Sequence, residues 1–215
     1  RRKREQHYLL TESIRQRPNE LRIKATSCAM RGLVPRLIAF EQRATDVHVA
    51  LTTTLDHRRQ LEDFDAGIVD GTADSGGETL FDEELIPVMA SHLPRPSEMS
   101  DLQHYTFLHP TPDTKDWLLW LNQHDLPLIR GRNQHFATMD LALNAAVQGF
   151  GITVADIHLA AEEIARGRLV APFHLTVKTG AAYRLLHRAD DLPESALHSL
   201  INWLHRPDPP IPSAG

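Results

Sequence analysis

Residues 21–42, LRIKATSCAMRGLVPRLIAFEQ, decide how this chain folds. Leu21, Ile23 and Ala25 alternate with Arg22 and Lys24 at the period of a strand, and Leu33, Val34, Leu37, Ile38 and Phe40 then recur at helical spacing. Thr26, Ser27 and Cys28 lie between the two patterns. Thr and Ser are good helix caps, and a helix that starts just beyond a strand end presents free N–H groups and a partial positive charge. Such a junction suits an anion.

The alternation continues along the chain. Strand patterns cover 21–26, 47–53, 67–69, 84–90, 106–109, 133–136, 152–155, 169–173 and 182–187. Helical patterns cover 32–42, 116–124, 139–148, 159–166 and 193–204. Strands alternating with helices predict an α/β protein with a largely parallel sheet. Residues 1–16 are polar and helix-compatible until Pro18 and Asn19 interrupt them, and the Pro-rich segment 207–215 reads as a disordered tail.

Composition narrows the function. The chain has 215 residues, 41% hydrophobic and 24% charged, enough for one large domain or two lobes with a proper core. A formal charge of -5 argues against a nucleic-acid-binding surface, and only Arg1, Arg2, Lys3 and Arg4 cluster. The single cysteine, Cys28, excludes an internal disulfide and suits a reducing compartment. No apolar run approaches membrane-spanning length, so no membrane partner is expected. The chain starts without Met in what reads as mid-helix, which implies a preceding segment.

Each chemical constellation has a plain structural reading beside a functional one. Ser27 and Thr138, ahead of two helices, are either N-caps or ligand contacts. The thirteen histidines, with His48, His57, His104 and His109 prominent, read as surface residues, because none falls in a metal-ligand spacing; no metal or cofactor is expected. Cys28 has no second cysteine for a disulfide switch and reads as a pocket wall. Gln148-Gly149-Phe150-Gly151 follows a helix and precedes a strand, the wrong order for a dinucleotide loop, so it reads as a helix stop. Trp117 and Trp120, three apart on one helix, read first as core, with either ring able to edge a cleft. Asp65 and Asp70 lack a neighbouring nucleophile and read as turn residues, so no catalytic set emerges and no enzyme is expected.

The ordered set of motifs resembles the effector-binding domain of LysR-type transcriptional regulators. It comprises the strand and Ser/Thr turn followed by LVPRL (33–37), DAGI (65–68), LFDEELIPVMAS (80–91), HYTFLH (104–109), FATMDLALNAAVQGFGITVA (136–155) and EEIARGRLVAPF (162–173). The text is most similar to the branch holding the glycine-cleavage activator and the β-lactamase regulator. The resemblance implies a type II periplasmic-binding-protein-like fold, two Rossmann-like lobes joined by two crossover strands. Residues 1–20 would be the linker-helix end, 21–90 plus 177–206 lobe I, and 91–176 lobe II.

Ligands of open α/β sheets bind beyond the carboxyl ends of strands, here between the lobes. The resemblance places Thr26, Ser27, Cys28, Ala29, Asp70, Pro110, Trp117, Phe136, Ala137, Thr138, Met139, Thr153, Val154 and Tyr183 around the ligand. It implies a small carboxylate effector, an amino acid or an aromatic acid. It also implies promoter DNA reached through a winged helix-turn-helix that this chain lacks, contact with RNA polymerase, a homodimer or tetramer, and a cytoplasmic location. One departure bears on the ligand: where relatives often carry an aromatic residue, residues 70–77 form a small acidic loop, DGTADSGG. A stand-alone solute-binding protein of periplasmic type is the alternative reading.

Overall fold

A computed structural model describes residues 19–54, 60–127, 131–189 and 195–207. Strand β1 (Glu20–Thr26) runs into helix α1 (Met30–Arg43), and β2 (His48–Thr54) and β3 (Ala66–Gly71) pair in parallel on either side of β1. The long strand β4 (Glu78–Ala90) leads away to a second set: β5 (Thr106–His109), α2 (Lys115–Gln123), β6 (Arg132–His135), α3 (Met139–Val147), β7 (Ile152–Asp156) and α4 (Ile157–Ala165). The short β8 (Leu169–Val170) follows, and the long β9 (Val177–His187) returns to the first set before α5 (Ala196–Leu204).

Strand order is β2-β1-β3-β9-β4-β7-β5-β6, with β8 beside β4. The two long strands pair antiparallel with each other; β9 also pairs with β3, and β4 with β7. They are therefore the two crossings between two α/β lobes.

The buried stripe of α1 is Leu33, Leu37 and Phe40, whereas Ile38, counted with that stripe in the sequence, is 52% exposed. Lys24 is buried although it alternates with the apolar residues of β1, because β1 is flanked on both sides, its stem lies beside Gly67 of β3, and its Nζ sits 5.9 Å from the Phe64 ring centroid while bonding the Gln60 carbonyl. Both crossing strands exceed the sequence expectation. Residues 78–83 and 177–181 carry no apolar period; 78–82 are held extended by pairing with 182–185 of β9, and Val177 and Lys178 by pairing with Leu85 and Glu84 of β4. Conversely, the strand expected over 169–173 stops at Val170 ahead of Pro172, which has no N–H for a ladder. Gly149 sits at φ +83° just after α3, the left-handed stop that the sequence predicted, and Gly167 ends α4 in the same way at φ +70°. The linker segment up to residue 18, His57, the start of the last helix before Ser195 and the tail from residue 208 lie outside the described residues.

Candidate functional site

The C-terminal ends of β1, β2, β3 and β5 and the first turns of three helices enclose a cavity of about 720 Å³. Of the residues expected at a ligand, Thr26, Ser27, Cys28, Asp70, Pro110, Ala137, Thr138, Met139 and Tyr183 line it. Thr54, Glu83, Thr111, Lys115, Asp116, Leu119, Thr179 and Ala181 line it as well and were not singled out from sequence.

The two helix starts behave differently. The cap position of α1 is Ala29, with no side-chain cap, so Ser27 is not spent on the helix and the first N–H groups of α1 have no side-chain acceptor. Thr138 does cap α3: its Oγ1 accepts from the Leu141 N–H at 3.3 Å. Its hydroxyl hydrogen remains available for donation. At the end of β1, Thr26 is 4% exposed and its Oγ1 has no hydrogen-bond partner, although it lines the cavity. A buried hydroxyl left unsatisfied is costly, and a ligand group can complete it.

A different wall is acidic. Glu83 stands at an irregularity where Asp82 pairs with Ala182 but Glu84 pairs with Lys178, leaving Thr179, Gly180 and Ala181 of β9 opposite Glu83 alone. Gly180 takes φ +86°, and the bulge turns Thr179 and Ala181 into the cavity, where Thr179 bonds the Glu83 carboxyl. Burial, followed by the charges of Asp70, Asp156 and Asp116, outweighs that bond and raises the Glu83 pKa to about 7. Burial likewise pushes Asp116, in the first turn of α2, above the usual carboxylate range. Tyr183, 2% exposed and packed 4.8 Å from Phe81, has its phenol pushed well up by burial and by the carboxylates around it. Lys115 lines the same cavity at its exposed side.

The remaining expected contacts sit behind the wall. Trp117 is buried against Phe107 at 4.5 Å and donates its indole N–H to the Leu108 carbonyl at 3.1 Å, so its helical spacing marks core rather than cleft edge. Thr153 is fully buried and gives its hydroxyl to the same carbonyl at 2.9 Å; Val154 is fully buried opposite Pro87. Ala29 is buried beneath the start of α1, and Phe136 packs against the core beside His109. Alternation along β7 carried no mark of which residues are covered on both faces.

Other readings resolve locally. Asp65 accepts from the Arg22 N–H at 2.8 Å and is structural. His109 is buried rather than on the surface: it stacks on His135 at 4.4 Å and holds Asn133 at 2.7 Å, and burial lowers its pKa. Among the described residues no cluster of three His, Cys, Asp or Glu could hold a metal ion, and no helix is long and apolar enough to cross a membrane.

The LysR substrate binding domain matches residues 15–207. The glycine cleavage system transcriptional activator of Escherichia coli K12 is 31% identical over 171 residues, covering 75% of this chain and 56% of that protein. The chain thus spans about half the length of the curated relatives it matches. The effector domain of the transcriptional regulator AmpR of Pseudomonas aeruginosa superposes with a TM-score of 0.65 at 27% identity, over 88% of this chain and 94% of that one. The AmpR effector-binding domain from Citrobacter freundii shares the fold, with a TM-score of 0.68 at 18% identity over 87% and 97% of the two chains. Two α/β lobes, two crossing strands, a cavity at the strand ends and a match over most of the length lead to one assignment: the chain belongs to the LysR substrate binding domain family.

Proposed function

We propose that this chain is the sensing part of a LysR-type transcriptional regulator, and that a small carboxylate, an amino acid or an aromatic acid derivative, occupies the cavity between its lobes. In this reading 21–90 plus 177–206 form lobe I, 91–176 form lobe II, and 1–20 lead back to a winged helix-turn-helix that holds promoter DNA, in the cytoplasm. The observation that carries it is the orphaned Thr26 hydroxyl at the end of a strand, beside a helix start whose cap residue, Ala29, supplies no side-chain acceptor. The ligand's preference for one lobe arrangement supplies the switch, and a coupling of roughly 1–3 kcal/mol suffices. The two-lobed fold also serves solute binding, but the named relatives are transcriptional regulators, which favours the sensor.

Thermal-shift screening against amino acids and aromatic acids tests it, since a ligand at 100 times its dissociation constant adds about 2.7 kcal/mol. The hit loses affinity in Ser27→Ala and in Thr138→Ala. Unchanged affinity in both variants rejects the site.

A further inference from the structure

We propose that the end of the last helix is fastened to the two crossing strands by a proton-dependent bridge, in which the Glu78 carboxylate is held between the imidazolium rings of His187 and His205 and is released as those rings lose their protons. The bridge is separate from the cavity, whose lining includes none of the three residues.

The three side chains come from three elements. Glu78 opens β4, His187 closes β9 and His205 caps the C-terminal end of α5. His187 Nε2 lies 3.2 Å from one carboxylate oxygen of Glu78, and His205 Nε2 lies 3.2 Å from the other. The second nitrogen of each ring is already committed: Nδ1 of His187 is 2.8 Å from the Arg188 carbonyl oxygen, and Nδ1 of His205 is 2.9 Å from that of Ile201. A carbonyl oxygen can only accept, so each Nδ1 carries a hydrogen.

A neutral ring with its hydrogen on Nδ1 turns a lone pair toward the carboxylate, and two lone pairs at that distance repel. Each contact becomes a charge-assisted hydrogen bond only when Nε2 is protonated as well. A proton placed on the carboxyl group instead serves one ring and leaves the other facing a lone pair. The geometry therefore calls for a proton on each ring, with one carboxylate answering two imidazolium charges.

The charged groups on the adjoining segments are mostly cations. Arg184 bonds the Gly77 carbonyl and the Thr79 hydroxyl on either side of Glu78; Arg188, next to His187, bonds the Phe64 and Glu62 carbonyls; Arg206 follows His205, and Arg36 of α1 bonds its carbonyl. Asp65, beside the Ala66 that pairs with His187, accepts from the Arg22 N–H. The cations oppose protonation of the two rings, and Glu78 is the group that favours it. A proton held more tightly in the bridge than in the unfolded chain stabilises it on the acid side of the imidazole range, and that contribution is lost as pH rises through the range. Leu197, Leu200, Ile201 and Leu204 are buried and hold the body of α5 at any pH, so the bridge governs its last turn, where partly exposed pairs have little packing to compete with.

Glu83 gives global stability a pH dependence of its own, so the test reads the bridge locally, in this chain and in Glu78→Gln. Histidine rings are followed by nitrogen–proton correlation spectra from about pH 5 to about pH 9, with His187→Asn and His205→Asn assigning the two signals. The neutral rings are expected to carry their hydrogen on Nδ1, and Glu78→Gln is expected to lower both titration midpoints by about 0.5 pH unit or more, a loss of about threefold in proton affinity. Amide exchange at Leu204 and His205, corrected for its intrinsic pH dependence, is expected to quicken about threefold or more across the same range in the wild type and to change less in Glu78→Gln. Midpoints that do not move in Glu78→Gln overturn the bridge. Neutral rings protonated at Nε2 overturn it too, because they would bond Glu78 without an added proton. Exchange in the last turn that ignores pH in the wild type overturns the fastening of α5.

Discussion

The guanidinium of Arg31, the second residue of α1, bonds the carboxylate of Asp140, the second residue of α3. Both helices start beside the cavity, after Thr26–Cys28 and at Thr138, and the same guanidinium reaches Asn144 on α3 and Glu163 on α4, the latter at 3.2 Å. Arg31 is 15% exposed, so the clasp is partly desolvated and stronger than a surface pair. It ties a helix of the first lobe to two helices of the second.

Removing this clasp lowers stability. Arg31→Met is expected to cost about 1.5–3 kcal/mol, because bonds to charged groups are worth that much and the acidic partners lose their cation. Denaturant unfolding of Arg31→Met, Asp140→Asn and the double variant measures it. A coupling energy below about 0.5 kcal/mol would mean that the pair is not a clasp.

Thr26→Val separates a structural from a binding role. The free protein loses an unpaired buried hydroxyl, so stability stays level or rises by about 1 kcal/mol, while affinity for the cavity ligand falls about threefold to tenfold. Destabilisation by more than that amount would show the hydroxyl to be satisfied within the fold.

Glu83 makes stability depend on pH. Its folded pKa, about 7, lies above the ordinary 4.5, so between these values the folded state holds a proton that the unfolded state has released. Stability is then full below the lower value, falls as pH rises through the window, and levels off above it. Urea midpoints of the wild type should drop from about pH 5 to about pH 8, and Glu83→Gln should flatten that part of the profile, gaining on the order of 1–3 kcal/mol at the upper end. Asp70, Asp116, Asp156 and Thr179 face the same carboxyl and set the size of the effect.

Trp117→Phe should cost about 1–3 kcal/mol through the lost bond to Leu108 and a small void, yet leave ligand affinity within about twofold. A large affinity loss at unchanged stability would return the indole to the cleft.

Assembly offers the last measurement. Strand β2 is a sheet edge, and Ile38 projects 52% exposed from the helix beside it, so a homodimer built on this side is expected without DNA. Sedimentation of a strictly monomeric chain at about 100 µM would exclude it, since that concentration corresponds to roughly -5.5 kcal/mol of association.

Local pattern determined a great deal here. The alternation of Leu21, Ile23 and Ala25, the helical recurrence of Leu33, Leu37 and Phe40, and the stops at Gly149 and Gly167 are short-range signals, because each depends on the period of a strand or helix or on a single backbone torsion. The strand-to-helix junctions at 26–29 and 137–139 were legible for the same reason, and they delivered one half of the candidate site.

Asp70 was legible as a cavity residue, but tertiary structure alone decided the wall made by Glu83 and Thr179. Glu83 and Thr179 are distant in sequence and carry no periodic mark; they meet because β4 and β9 pair antiparallel with a bulge, a long-range register that no local preference encodes. Trp117 and Thr153 show the converse, since apolar and hydroxyl residues near a strand end look alike whether they face a cavity or a neighbouring carbonyl. Which way they point is a property of how two lobes close on one another, and burial follows that closure rather than the residue type.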